Sequence, residues 1–377
     1  MTLKASNPEF YSGLKEQFRV LLKKSCGLDL IKFESLPGDA SRRKYFRLHF
    51  NEGSLIGVYG DDYKENHSFI YFCEHFYSLG LPVPKLHASG IDQGIYVVED
   101  LGEETLAERT SNPSISRDEV LCLYIQSAKD LVFFQILGHK DLDYESNCHQ
   151  SPVLDRRNIE EDLQYFVKYF LPLIADYSKI SEIEHELDKL TEILSEPQPM
   201  FFLYRDFQCR NIIVRPDSSL GYVDFQAGRK GPLQYDIATL LYASKANISD
   251  EEREIILVEY LNQLEMAIGS QKDSTEMGKL VNSAKSINRD DFMSKYYFFV
   301  LYRILRALGV YLFLAVQEGH WRFLGGVPEA LKNLMSIFSK HIFLIDIFPH
   351  LQKFIQLLSL EESFISKTKL MKLIRKD

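Results

Sequence analysis

The hydrophobic pattern of this 377-residue chain changes period near Gly102, and that change restricts the folds open to it. Before it, short apolar runs at 31–36, 44–50, 54–59 and 95–99 alternate with the turn-rich pieces PGDASR and NEG, a pattern that predicts strands. Two helical stripes accompany them. One is Phe10, Leu14, Phe18, Leu21 and Leu22; the other is Phe69, Phe72, Phe76 and Leu79, stopped by Gly80, Pro82 and Pro84. After Gly102 the apolar spacing becomes helical over 116–137, 159–176, 182–195, 250–266, 290–317 and 327–340, with one island of strand at 201–226. A β-rich segment followed by an α-rich one predicts an α+β protein in two lobes. The division falls between Glu99 and Gly102: a small sheet with helices over 1–101, and a larger, mainly helical lobe over 102–377.

Composition narrows the class. With 45% hydrophobic and 26% charged residues, a disordered or low-complexity chain is excluded. Lys and Arg number 44 against 53 Asp and Glu, and the resulting net charge of −9 argues against a nucleic-acid partner, whose binding rests on phosphate neutralisation. Cys26, Cys73, Cys122, Cys148 and Cys209 are odd in number and form no C-x-x-C pair, which predicts free thiols in a reducing compartment. The opening residues hold no apolar core of a secretory signal. The stretch 296–316 is long enough to cross a bilayer, but Arg303 and Arg306 sit in its middle, so it reads as a buried helix. The expectation is a cytoplasmic protein with no membrane partner.

The segment 201–236, FFLYRDFQCRNIIVRPDSSLGYVDFQAGRKGPLQYD, carries the chemistry. Apolar runs at 212–214 and 222–225 flank the turn signal Arg215-Pro216-Asp217-Ser218-Ser219, which predicts a hairpin. Asn211 enters its first strand, Asp224 leaves its second, and Asp206 lies on the loop leading in. Two carboxylates and an amide form an oxygen-only set. That set suits magnesium, which takes one or two carboxylates plus substrate phosphates. A carboxylate not bound to metal can orient a substrate hydroxyl and take its proton, the division of labour in phosphoryl transfer.

These residues resemble the motifs of the aminoglycoside phosphotransferase and choline kinase superfamily, relatives of the protein kinases. Tyr204-Arg205-Asp206-Phe207-Gln208-Cys209-Arg210-Asn211 resembles the catalytic loop, with Tyr204 where many relatives have His. Asp224-Phe225-Gln226 resembles the metal-binding D-F-G element, with Gln for Gly, and Tyr235-Asp236-Ile237-Ala238 resembles the motif that follows. The resemblance implies a bilobal protein-kinase-like fold. In it Asp206 is the base, Asn211 and Asp224 hold Mg2+, and Asp236 braces the catalytic loop. A narrower resemblance is to the bacterial anomeric kinases of N-acetylmuramate and N-acetylglucosamine. It rests on Gly38-Asp39-Ala40-Ser41-Arg42-Arg43-Lys44-Tyr45-Phe46-Arg47, on Val98-Glu99-Asp100-Leu101-Gly102, and on Tyr302-Arg303-Ile304-Leu305-Arg306-Ala307-Leu308-Gly309. It implies an ATP- and Mg2+-dependent kinase of a small hydroxylated metabolite, an amino sugar of peptidoglycan recycling. Ser41, Arg43 and Lys44 would then meet the phosphates, and the main chain at Glu99 and Leu101 would hold the adenine.

The chain departs from the superfamily at one place: the strand 54–59 lacks the Lys that pairs the nucleotide phosphates in many relatives. Arg42, Arg43, Lys44 or Arg47 is expected to supply the charge, and strand alternation puts 43, 45 and 47 on one face. Glu74 is a possible partner for one of these cations, though an ordinary surface Glu is the better reading. Arg303 and Arg306 share a helix face. They either grip a substrate carboxylate or form a structural salt bridge in the helical lobe. Two other functions compete. An aminoglycoside- or choline-type kinase could use the acidic cluster Asp155, Glu160, Glu161 and Asp162, which helix N-terminal preference also explains. A nucleotide-binding pseudokinase would account for the missing Lys.

Overall fold

Leu14, Phe18 and Leu22 recur at helical spacing because α1 (Pro8–Cys26) lays one apolar face on a sheet. In the computed structural model the described residues are 8–38, 42–173, 180–269, 289–360, 370–371 and 374. They divide into two compact units: 1–104 with 141–150 and 213–227, and 105–140 with 151–212 and 228–377.

The first unit is built on five antiparallel strands in the order β1-β2-β3-β5-β4: β1 (Lys32–Leu36), β2 (Lys44–Phe50), β3 (Gly53–Tyr59), β4 (Leu86–Gly90) and β5 (Ile95–Glu99). Strand β4 was not expected from the sequence; its LHASG is short and polar and is bulged between Leu86 and Ala88. Phe46, Leu48, Leu55, Ile95 and Val97 bury one face of the sheet beneath α1. The contact is close: a Cβ on Gly57 would lie 2.8 Å from the Phe18 ring, so β3 needs glycine there. Helix α2 (Tyr63–Ser78) starts where Asp62 accepts from the Glu65 amide, and it buries Phe69, Phe72 and Phe76.

The expected hairpin forms as β7 (Ile212–Val214) and β8 (Leu220–Tyr222), and residues 213–227 belong to the first unit. Arg215 N–H donates to the Ser219 carbonyl across the turn, and Tyr222 N–H donates to the Pro82 carbonyl. The second strand ends earlier than the expected 222–225. Asp224 sits at φ 70°, a left-handed conformation that breaks the ladder.

The second unit is mainly helical. Its helices are α3 (Leu106–Ser111), α4 (Arg117–Ile136), α6 (Arg156–Tyr165), α7 (Ile180–Ser195), α8 (Gln234–Tyr242), α9 (Asp250–Gly269), α10 (Arg289–Val316), α11 (Val327–Lys340), α12 (Ile342–Ile347) and α13 (Pro349–Leu360), α5 (Tyr144–Asn147) lying in the first unit. Strands β6 (Phe201–Leu203) and β9 (Arg229–Gly231) pair antiparallel inside it. The helix expected over 159–176 is, as far as Leu173, α6 followed by a wide turn at Phe166–Phe170 and a tight one at Leu171–Leu173, which contains Pro172; 174–176 lie outside the described residues. Gly309 of α10 packs against the main chain of Tyr165 and Phe166 so closely that a Cβ there would overlap it. Helix α10 is long and apolar enough to cross a membrane, but 61% of its most apolar window is buried in the protein.

Candidate active site

In the second unit, β6 delivers the chain into the loop Tyr204–Asn211. The Tyr204 and Arg205 amides both donate to the fully buried carboxylate of Asp236, at 2.7 and 2.9 Å, from the first turn of α8. Arg205 takes a left-handed φ of 80°, a strained conformation for a side-chain-bearing residue. Its guanidinium is fixed by two bonds from Nη2 to Asp162, at 2.9 and 2.7 Å. Asp162 also accepts from the Tyr302 hydroxyl and lies 2.9 Å from Arg306 Nε. Burial opposes its ionisation, but Arg205 and Arg306 outweigh burial and hold it far below the usual carboxylate range. The sequence had offered Asp162 as one acid of a cluster, read either as a pocket for a cationic substrate or as a helix start. Asp155 does cap α6, and Glu160 and Glu161 pair with Arg156 and Arg157 on the surface; Asp162 is the buried member.

Asp206 and Asn211 are brought together by this loop. Asn211 Nδ2 donates to the Asp206 carbonyl (2.8 Å), and Gln208 Nε2 reaches the Asp206 carboxylate at 3.2 Å. Burial disfavours the Asp206 charge, yet Arg306, Arg210, Arg303 and Arg205 together keep its carboxyl below the usual range, hence ionised. Burial dominates at Asp236, against the pull of its two amide donors, and pushes its carboxyl up to about 7. Arg303 donates to the Tyr235 hydroxyl (2.7 Å) with its guanidinium 4.6 Å from that ring centre. Arg303 and Arg306 are thus both engaged inside the helical unit.

In the first unit, Asp224 meets Arg43. The Arg43 side chain, 2% exposed, donates from Nη2 to Asp224 Oδ1 at 2.8 Å and from Nη1 to the Tyr96 hydroxyl at 3.3 Å; its Nε lies 3.4 Å from Glu65 Oε1. Gln226 Nε2 donates to the same Asp224 oxygen at 3.0 Å, while its own buried Oε1 has no hydrogen-bond partner. Phe225 stacks on Phe69 of α2 with centroids 4.8 Å apart, and Phe69 stacks on Tyr96 at 5.0 Å. The partner on α2 is Glu65; Glu74 is an exposed surface residue. A signal for Glu65 existed. It lies four residues before Phe69, a carboxylate on an otherwise apolar stripe, as Asp162 does three residues after Ile159.

The other cations separate as strand alternation requires. Lys44 turns to the α1 side, its Nζ 5.9 Å from the Tyr11 ring centre. Arg47 binds Asp100 through Nε at 2.7 Å, together with Glu103 and the Gly102 carbonyl. This pins the segment that contains Glu99 and Leu101. Glu99 Oε2 accepts from the Lys85 amide, Glu99 Oε1 accepts from Arg215, and Leu101 is buried. Ser41 lies outside the described residues.

The donor set fits a hard cation. In the first unit the Asp224 carboxylate and the buried Gln226 Oε1 beside it offer hard oxygen donors, and in the second unit the Asn211 amide oxygen is another. Among the described residues no group of three or more His, Cys, Asp or Glu cages a metal, and magnesium does not require one, since it keeps waters and substrate oxygens.

Comparison with known proteins places this arrangement. The model of the phosphotransferase enzyme family matches residues 32–269. The N-acetylmuramate/N-acetylglucosamine kinase of Pseudomonas aeruginosa is 23% identical over 300 residues, 78% of this chain and 80% of that protein. The fold is shared with the choline kinase LicA from Streptococcus pneumoniae, at a TM-score of 0.56 and 17% identity over 86% of this chain and 99% of that one. It is also shared with a spectinomycin phosphotransferase solved with ADP and spectinomycin, at 0.55 and 12% identity over 86% and 94%. The bilobal kinase-like α+β reading holds, and the chain belongs to the phosphotransferase enzyme family: it is a small-molecule kinase.

Proposed function

We propose that the protein transfers the γ-phosphoryl group of ATP to the anomeric hydroxyl of an N-acetyl amino sugar, in the cytoplasm and with Mg2+. The observation that carries the chemistry is the loop Tyr204–Asn211, which holds an ionised Asp206 next to Asn211 under a collar of arginines. The similarity to an N-acetylmuramate/N-acetylglucosamine kinase supports the acceptor class, and nucleotide use is supported by the ADP in the spectinomycin phosphotransferase structure.

Asp206 accepts the hydroxyl hydrogen bond and receives the proton as the sugar oxygen bonds to the γ-phosphorus and the bond from that phosphorus to the departing ADP oxygen breaks. A carboxylate held below its usual range is a weak base, so its main effect is orientation, with proton transfer late. Asn211 uses its amide nitrogen on the Asp206 carbonyl, which leaves its oxygen for a metal; Asp224 is the other ligand the family resemblance implies. The bound magnesium ion supplies charge neutralisation at the transferring phosphoryl group. Among the sequence candidates for the phosphate cation, Arg43 is the one beside Asp224, and Lys44 faces away. Arg303 and Arg306 keep Asp206 ionised, and a substrate carboxylate would compete with Asp162 for Arg306.

The test is incubation with Mg-ATP and N-acetylmuramate, N-acetylglucosamine, choline, homoserine or an aminoglycoside, following ADP release with Asp206→Asn as control. An acid-labile phosphosugar from the N-acetyl sugars alone is expected. Turnover on choline or an aminoglycoside alone would replace the acceptor, and tight Mg-ATP binding without turnover would favour the pseudokinase. If Arg303→Ala and Arg306→Ala leave the Michaelis constant for the acidic sugar unchanged, neither grips it.

A further inference from the structure

Arg43 stands at the start of β2, yet its guanidinium joins three elements of the first unit: Glu65 of α2, Tyr96 of β5 and Asp224 beyond β8. It is packed between the rings of Tyr45 and Phe69, with its guanidinium carbon 5.9 and 6.0 Å from their centres. A Cβ on Gly60 would come within 3.1 Å of its side chain, so the path of the stem is confined as well. An Arg so placed cannot shed its charge. Burial works against that charge, and Tyr45, Tyr96, Asp224 and Glu65 together outweigh burial.

The consequence for Asp224 follows from charge. Asp224, Glu65 and Arg43 sum to one negative charge, and the Asp224 oxygen is already met by Arg43 Nη2 and Gln226 Nε2. A divalent cation arriving alone meets a carboxylate whose charge the Arg43 guanidinium already offsets, and it is repelled by that guanidinium. A nucleoside triphosphate reverses the balance. Its phosphates bring negative charge for Arg43 and further oxygens for the cation, so the two enter together more readily than either alone.

We propose that Arg43 is the resident counter-ion of Asp224, and that it makes divalent-cation binding at Asp224 conditional on the nucleotide. The proposal rests on the reading of Asp224 as a metal ligand. It makes Arg43 a positioning residue and adds to that reading an order of events: Glu65 holds the displaced guanidinium while the phosphates take it up.

The experiment is a Mn2+ titration of the full chain, read as loss of the free-ion electron paramagnetic resonance signal, with and without a non-hydrolysable ATP analogue. Wild type is expected to bind Mn2+ weakly alone and at least tenfold more tightly with the analogue. Arg43→Met should tighten binding of Mn2+ alone by about tenfold and erase most of the analogue's effect. Arg43→Lys, which keeps the charge, should stay near wild type. Should Arg43→Met fail to fold, Glu65→Gln carries the test, because it leaves Arg43 wholly to Asp224 and should weaken Mn2+ binding without nucleotide. Unchanged or weaker Mn2+ binding in Arg43→Met, or tighter binding in Glu65→Gln, overturns the proposal. Asp224→Asn separates the two levels. If it binds Mn2+ with the analogue as wild type does, the metal reading itself fails; if it loses that binding while Arg43→Met is unaltered, only the counter-ion proposal fails.

Discussion

The two carboxylates proposed for phosphoryl transfer, Asp206 and Asp224, have differently built surroundings. Asp206 sits in a loop fixed at both ends of a strained residue: Asp236 holds the Arg205 main chain and Asp162 holds its side chain, with Tyr302 and Arg306 closing the network. Asp224 is also at positive φ, but its side chain rests on an arginine shared with Glu65 and on the amide of Gln226. The first arrangement leaves one geometry. The second keeps a charge whose partner can change. Buried ion pairs are costly to assemble and more costly to break. A loop that must not move therefore uses many, and on the proposal above a site that admits a cation uses one that can be displaced.

The comparison can be broken in several ways. Asp206→Asn is expected to lose about 10²–10⁴ in turnover, the range for a general base, with nucleotide affinity and melting unchanged. Steady-state kinetics with calorimetric nucleotide titration decide it. Asp162→Asn strands Arg205 and Arg306 and should cost about 3–5 kcal/mol by chemical denaturation. Glu65→Gln should cost only about 0.5–1.5 kcal/mol, since Arg43 keeps Asp224. Equal losses would dissolve the contrast between the two surroundings. Gln226→Ala removes one donor to Asp224 and should raise the Michaelis constant for magnesium about 2–10-fold with turnover little altered, the equivalent of one hydrogen bond.

The smallest effect is in pH. Burial, with Lys230 nearby, pushes the His139 imidazole down to about 4. The unfolded chain protonates first, near its ordinary value of about 6.5. Stability from this group is therefore whole above that value and is lost as pH falls towards 4. His139→Gln should melt with a smaller drop between neutral and acid pH than wild type does.

The strands at 44–50 and 95–99, the hairpin, and the pairing of Asp206 with Asn211 were legible because each depends on neighbours within a few residues. Strand β4 was not, because its residues carry no alternation and are ordered by β5. Glu65 and Asp162 were missed for a different reason. Glu65 was not singled out and Asp162 was read as one acid of a cluster, although each lies on its helix's buried face, where a remote arginine makes the position tolerable. The division of the cations in SRRKYFR was half legible. Alternation separated Arg43 and Arg47 from Lys44, but which acid each would meet depends on residues 22 to 181 positions away.

The hairpin 213–227 has a consequence for how this chain is made. The first unit begins with the earliest described residues, yet it draws Asp224, Phe225 and the donor to Pro82 from a segment translated after the whole of α4, α6 and α7. While the ribosome is between residues 104 and 227, the sheet can form, but Arg43 lacks one of its two carboxylates and Phe69 lacks one of its two stacking rings. The amino-terminal portion thus emerges with an incomplete face, and its maturation waits on more than a hundred later residues.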